Sequence, residues 1–281
     1  LQSKNILFLG FGDLARHTAE KLTAHRLVGV ARSAKPPAPG VEFWQGAADS
    51  LVIRQRLTQE KCDALVITLT PTEFSDLGYA VAYVETLRTL LPVLHSHSPG
   101  LVIFVSSTSV YHQNDGGWVD ENSATEPGTF SGRRLLEAEN LLRTSGLPHT
   151  VLRCAGIYGP GRDFLLRQVR GGKGGSGDFT NRIHVRDAAG AISHLLERHF
   201  DGQTVEPRYL VCDSNPASGM EVRQWLAVRL GVDPAGLLPN ASERGGNKRC
   251  RNQRLLDSGY RLLYPSYRDG YGALLDSGEL S

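Results

Sequence analysis

The 281-residue sequence predicts an α/β fold, a doubly wound parallel sheet with a smaller C-terminal addition. Three observations lead there. Short apolar runs alternate with amphipathic stretches through the first half, the pattern of βαβ units whose sheet is buried on both faces. The first apolar run ends in a glycine turn that opens a helix. With 40% hydrophobic and 21% charged residues, the chain has the composition of an ordinary globular protein, long enough for one large core and a small second one.

Taken in order, the predicted strands are Asn5 to Gly10, Leu27 to Ala31, Val41 to Trp44, Ala64 to Thr68, Leu101 to Ser106 and Thr150 to Arg153. Each is too short and too apolar for a surface helix. Between them the spacing predicts helices over Leu14 to His25, Ser50 to Gln59, Thr72 to Leu91 and Gly132 to Ser145. Short right-handed crossovers would wind these units into one sheet. Beyond Arg153 the spacing is less regular. Gly171 to Gly177 reads as a flexible loop, and it lacks the Gly-Lys-Ser/Thr of a phosphate-binding loop. A helix from Val185 to Arg198, a strand from Arg208 to Cys212, and helices over Ser218 to Leu230 and near Gln253 to Asp257 follow. The expected division is a first domain over 1–165 and a C-terminal part over 166–281, with segments around 182–212 returning to the first core.

Charge and cysteine content exclude several classes. A net charge of +2 gives no general attraction to nucleic acid or anionic membrane. The basic count is uneven: 25 Arg against 6 Lys, with no lysine between Cys62 and Gly172. Cys62, Cys154, Cys212 and Cys250 are widely spaced, which suggests neither a zinc site nor a disulfide scaffold and fits reduced thiols in the cytoplasm. No apolar run reaches the length of a membrane span, and the chain enters a strand pattern at once, without a signal-peptide profile. His95-Ser-His97 lacks a third ligand nearby and reads as a polar loop rather than a metal site. No Gly-x-Ser-x-Gly or His-Glu-x-x-His occurs, so hydrolase and zincin chemistry lack their minimum parts.

The glycine turn, Gly10-Phe-Gly12-Asp13-Leu14-Ala15, is a G-x-G-x-x-A form of the dinucleotide fingerprint in strand–turn–helix context. Its glycines permit a tight turn and close approach of backbone to a pyrophosphate at a helix start. The alternative is a purely structural turn. After the second strand, where an NAD site usually places an acid on the ribose 2′-hydroxyl, the chain has Arg32 and Ser33. A guanidinium suits a 2′-phosphate, so NADP is favoured and NAD stays open. Asp49 could still approach the adenine. The Thr68-Leu69-Thr70-Pro71 turn is expected beside the cofactor, and Ser106, ending the fifth strand, is a further cofactor candidate.

Four ordered motifs follow: Val105 to Tyr111 (VSSTSVY), Val119 to Pro127, Leu152 to Gly161 (LRCAGIYGPG) and Arg182-Ile-His-Val-Arg-Asp187. Over nearly the whole chain these resemble the extended short-chain dehydrogenase/reductase superfamily, the group of nucleotide-sugar epimerases and dehydratases. The resemblance implies a Rossmann domain, a C-terminal substrate-binding domain and a small-molecule substrate, perhaps nucleotide-linked. It also implies a catalytic Ser and a Tyr-x-x-x-Lys pair. Ser107 matches the serine, but no Tyr-x-x-x-Lys occurs in the 281 residues. Alignment with the family's helix puts Ser131 at the tyrosine position and Leu135 at the lysine position. The chain therefore looks like an atypical subgroup in which Ser-Gly-Arg opens that helix.

Without that pair, proton transfer to a reacting oxygen falls to Tyr111, Tyr158, His112 or His184, with Ser107 and Thr108 to orient or relay. Both tyrosines equally fit a packing role, and so does His184. Arg182 could bind an anionic substrate group or be a surface arginine. The tail from Glu243 to Arg261, with six basic and two acidic residues, reads as a solvated or substrate-facing surface lacking the aromatics of a nucleic-acid platform. Within it, Asn247, Lys248 and Arg249 are candidate phosphate contacts. Two functions are expected from these residues: an NADP-dependent oxidoreductase or epimerase-like enzyme, or an inactive dinucleotide-binding sensor.

Overall fold

The computed structural model describes residues 2–34, 38–240 and 245–278. Along the chain run β1 (Asn5–Leu9), α1 (Asp13–Ala19), β2 (Arg26–Ala31), β3 (Val41–Gln45), α2 (Leu51–Gln59) and β4 (Ala64–Ile67). Then come α3 (Asp76–Tyr79), a π-helical turn (Ala80–Glu85), α4 (Thr86–His97), β5 (Leu101–Ser107), a 3₁₀ turn (Thr108–Val110), β6 (Trp118–Val119), α5 (Phe130–Ser145) and β7 (His149–Cys154). The remainder holds β8 (Gly156–Tyr158), α6 (Phe164–Arg170), β9 (Phe179–Thr180), β10 (Arg182–His184), α7 (Val185–Phe200), β11 (Arg208–Val211), β12 (Ala217–Ser218), α8 (Gly219–Leu230), β13 (Arg249–Cys250), α9 (Gln253–Asp257) and α10 (Tyr267–Ser277).

The seven-stranded sheet has the order β11-β7-β5-β4-β1-β2-β3. β1 pairs in parallel with β2 on one side (Leu9 opposite Val30) and β4 on the other (Leu9 opposite Ile67). Strand order therefore reverses between β1 and β4. In such sheets the crevice at the carboxyl ends of the two strands is where ligands sit. All of β4 and residues 6–9 of β1 are buried, as continuous apolar runs require when helices cover both faces.

The chain divides into two compact units: Leu1–Val110 with Thr125–Arg153 and Ala189–Tyr209, and Tyr111–Ala124 with Cys154–Ala188 and Leu210–Ser281. The first contains a buried ion pair. Arg153 on β7 donates to Glu139 on α5 (Nη2–Oε2 2.6 Å), and Ser106 Oγ donates to the same carboxylate at 2.6 Å. Removing one partner of such a pair costs about 3–5 kcal/mol, because the other charge is left buried and uncompensated. In the second unit, Tyr158, Leu166, Val169, Leu226, Tyr267, Tyr271 and Leu274 form the core. Asp187 anchors the segment after α9, accepting from Leu263 N (2.7 Å), Tyr264 N (2.9 Å) and the Tyr260 hydroxyl (2.9 Å).

Several elements differ from the sequence reading. α1 ends at Ala19, not His25, because Leu22 turns into the core (1% exposed) and His25 bonds Glu197 at 3.0 Å. The helix expected over Thr72 to Leu91 starts at Asp76, where Ser75 caps Gly78 N, and continues through Pro92 to His97. His95 and His97 thus lie in the last turn of α4, not in a loop. The glycine-rich stretch after α6 is packed: Gly174 N donates to Leu238 O (2.7 Å), and a Cβ on Gly175 would meet Gly219 at 2.3 Å. α6, α10 and the two-residue strands were not foreseen, since their apolar residues serve a small core without a long period.

Asp213, 1% exposed, carries a pH consequence. Burial pushes its carboxyl up to about 7, outweighing the attraction of Arg182. Its proton is held more tightly in the folded than in the unfolded chain, so this group's contribution to stability falls as pH rises from about 4 to about 7. Asp213→Asn removes that slope. Thermal denaturation should show the variant gaining on wild type between pH 5 and pH 8, and a constant difference would contradict the burial argument.

Candidate functional site

The glycine turn joins the ends of β1, β2 and β4. Gly10 has φ +92°, in the region that disfavours a side chain, and a Cβ there would stand 2.8 Å from Thr68 O. Gly10 N and Phe11 N both donate to Val30 O (3.0 and 2.8 Å), and Thr68 Oγ1 donates to Gly10 O at 2.7 Å. Gly12 is different. It is the N-cap of α1 with no side-chain cap, and a Cβ on it would meet nothing nearer than Gly10 O at 3.9 Å. The turn is thus locked on one side and open on the other, as a backbone that receives a pyrophosphate must be.

A cavity of about 350 Å³ opens on this turn. Gly10, Gly12, Arg32, Ser33, Asp49, Thr68, Leu69 and Thr70 line it together, so eight of the sequence-predicted cofactor residues converge. Arg32 and Ser33 are exposed at the end of β2. The Arg32 guanidinium has no ion-pair partner among the described residues, which leaves its donors for a ligand. Tyr83, on the π-helical turn, donates to Leu69 O at 3.2 Å and braces the Thr68–Thr70 loop, and burial pushes its phenol far up, so it stays a donor.

Other candidates lie elsewhere. Leu14 is buried, and Asp13 lies beside His17 (3.4 Å). Neither side chain lines the cavity, although their backbone opens α1. Ser106 is turned inward to Glu139. The lining residues that sequence reasoning missed include Phe11, Val30 and Ala31 at the end of β2, Gly46-Ala47-Ala48 after β3, and residues from Thr72 to Thr86. The run of small residues after Gln45 was the one signal for them.

At the end of β5, Ser107 Oγ accepts from Ser109 N at 3.1 Å, and Thr108 is half-buried beside it. The start of α5 presses on this turn: a Cβ on Gly132 would stand 2.2 Å from Ser109 O, which explains the glycine of Ser131-Gly-Arg. Leu135 is 4% exposed, so the position aligned with the family's lysine is an apolar core position.

In the second unit, Tyr111 is buried and its hydroxyl donates to Asp120 O at 2.8 Å; His112 is exposed. Tyr158 stacks on Tyr271 (ring centroids 4.3 Å), and its hydroxyl abuts Gly270 with no hydrogen-bond partner among the described residues. Burial pushes that phenol far above its usual range. His184, 1% exposed, packs on Tyr264 and accepts from Arg186 N at 3.2 Å. Arg182 is also buried: it donates to Thr180 Oγ1 and lies over the Tyr267 ring, so it is not a surface arginine.

The basic tail, expected to be a solvated or substrate-facing surface, is exposed at Arg251 and Arg261 but buried at Lys248. Glu243 and Arg244 lie outside the described residues. Lys248 is 2% exposed, its ammonium donating to Gly245 O, and burial lowers its proton affinity. Arg249 lies over Trp118 and Phe179 (5.0 and 4.8 Å), aromatics that the fold brings from distant segments. Asn247 accepts from Phe179 N at 2.9 Å. These residues hold the unit together.

The four cysteines are free. No group of His, Cys, Asp or Glu among the described residues has metal-ligating geometry, and no described helix is long and apolar enough to cross a membrane.

No family model matches the chain. Among curated proteins, protein YeeZ of Escherichia coli (strain K12) is 34% identical over 212 residues, covering 72% of each chain. A solved structure from Methylobacillus flagellatus, provisionally described as an NAD-dependent epimerase/dehydratase, is 36% identical over 99% of both chains with a TM-score of 0.83. MoeE5, solved with UDP-glucuronic acid and NAD, shares the fold with a TM-score of 0.79 at 19% identity over 98% of both chains. On the ordered motifs, the reversal of strand order at a glycine fingerprint and these relatives, the chain belongs to the epimerase/dehydratase-like group of the extended short-chain dehydrogenase/reductase superfamily.

Proposed function

We propose that the protein is an NADP-preferring oxidoreductase of epimerase/dehydratase type, acting on a hydroxyl or carbonyl of a small molecule such as a sugar nucleotide. The observation that carries this reading is the cavity on the Gly10–Gly12 turn with the Arg32 guanidinium at its rim and without an ion-pair partner among the described residues. NAD bound to MoeE5, which has the same fold, supports a dinucleotide there, and UDP-glucuronic acid in that protein supports the substrate class. The residues fit the group: Gly12 leaves open the space a pyrophosphate needs, and Arg32 offers charge and a donor fork to a 2′-phosphate. When bound, the dinucleotide supplies or accepts hydride.

The chain's own contribution is orientation and proton handling. Ser107 positions the reacting oxygen, and Tyr111 or Tyr158 replaces the family's tyrosine as acid/base. Their environments set a condition on that role. The Tyr111 hydroxyl donates to Asp120 O and burial makes the Tyr158 phenol hold its proton more tightly, so each starts protonated and gives up its proton less readily than a free tyrosine. A second reading, a dinucleotide-binding sensor without turnover, is favoured by one observation: Leu135 fills the lysine position with buried apolar surface.

Two measurements test these readings. In fluorescence titrations, wild type should bind NADPH more tightly than NADH. Arg32→Ala should weaken NADPH by about 10- to 100-fold, the worth of one or two charge-assisted hydrogen bonds, and leave NADH unchanged. Equal wild-type affinities would refute the arginine argument. The second measurement follows NADPH oxidation over a panel of sugar nucleotides and simple carbonyls. Turnover that falls by about 10²-fold or more in Ser107→Ala supports the enzyme, on the scale of a positioned catalytic group. Tight NADPH binding with no turnover across the panel supports the sensor.

A further inference from the structure

A second cavity, of about 830 Å³, lies in the first unit at the amino ends of β1, β4 and β5, away from the glycine turn at their carboxyl ends. Lys4, Lys61, Asp63, His97, His199 and Phe200 are among its lining residues. Two of the chain's six lysines therefore meet at one cavity. Neither ammonium has an ion-pair partner among the described residues. Asp63 also lines the cavity, its Oδ2 accepting from Asn5 N at 2.7 Å, so the lining sets two ammonium groups against one carboxylate. His97 Nδ1 is buried with no hydrogen-bond partner among the described residues. Lys4 stands 5.8 Å over the Phe200 ring, and burial and the Lys4 ammonium hold the His199 imidazole below its usual range.

The histidines have a local reason to be here. They sit in the last turns of α4 and α7, where basic side chains offset the helix dipole. The lysines do not. Lys4 leads into β1 and Lys61 lies between α2 and β4, outside any helix. Two ammonium groups without ion-pair partners among the described residues, set in a concave site, attract a compact anion with more than one negative charge. The cavity is far larger than a bare phosphate and lies within the range of metabolite sites.

We propose that this cavity binds a phosphate monoester. Lys4 and Lys61 hold the phosphate, His97 and His199 supply hydrogen bonds, and the body of the ligand lies against Phe200. The site is independent of the dinucleotide reading, since none of its residues lines the cavity on the glycine turn.

Isothermal titration with ribose 5-phosphate, and with ribose as the uncharged control, tests it. Wild type should bind the phosphate ester and not the sugar. Lys4→Ala/Lys61→Ala should weaken binding at least about tenfold, equivalent to about 1.4 kcal/mol. Lys4→Arg/Lys61→Arg should retain binding, because the charge persists. Arg32→Ala should leave it unchanged. Lys61 is exposed, so Lys61→Ala alone gives the same direction if the double variant folds poorly. The proposal is overturned if wild type does not bind the ester, if the alanine variants bind as wild type does, or if Arg32→Ala abolishes binding, which would place the anion at the glycine turn.

Discussion

The close approach of Gly10 to the backbone of Thr68 governs the architecture. A side chain at Gly10 would collide with Thr68 O at 2.8 Å, so only glycine lets the ends of β1 and β4 meet. From that contact the Thr68 hydroxyl reaches Gly10 O, the chain turns tightly enough to start α1, and Gly12 faces open space. These strands are the pair at which the sheet reverses direction, so the reversal and the ligand cavity share one origin. Arg32, Asp49 and Thr70 reach the cavity because β2, β3 and β4 end at the same level.

A constraint of the opposite kind acts on α5. The resemblance implies a tyrosine and a lysine on that helix, and the alignment read from the sequence puts Ser131 and the buried Leu135 at those positions. The packing follows the substitution: α5 lies against the turn after β5 through Gly132, and its interior face carries Leu135, Ala138 and Leu142. The question of cofactor binding, which belongs to the ends of β1, β2 and β4, is thus separate from the question of turnover, which in the proposed reading falls to Ser107 and to Tyr111 or Tyr158.

Much of this was legible in the sequence. The main strands were readable because a parallel strand buried on both faces is a continuous apolar run, and Ile-Leu-Phe-Leu or Ala-Leu-Val-Ile allows little else. Eight cofactor candidates met in one cavity because the fingerprint fixes which loop ends face the ligand. Ser106 was misplaced because alternation along a strand end does not reveal which neighbour holds a buried carboxylate. In the second unit the burial of charged residues was not readable. Lys248 reads as a phosphate contact and Arg182 as an anion binder or a surface arginine, yet both are buried: Lys248 donates to Gly245 O three residues away, and Arg182 lies over the Tyr267 ring, which comes from a segment too distant for a local pattern to encode. The glycine-rich loop read as flexible for the same reason: its glycines serve close packing against α8 and Leu238, not freedom.

If a dinucleotide lies on the Gly10–Gly12 turn, a side chain at position 12 must displace it, and the variant to measure is Gly12→Val. The new side chain meets no protein atom closer than 3.9 Å at its Cβ, so the fold should persist, while the space for the pyrophosphate is filled. An unchanged melting temperature together with loss of NADPH binding is the predicted result. Undiminished NADPH binding in this variant would contradict the account.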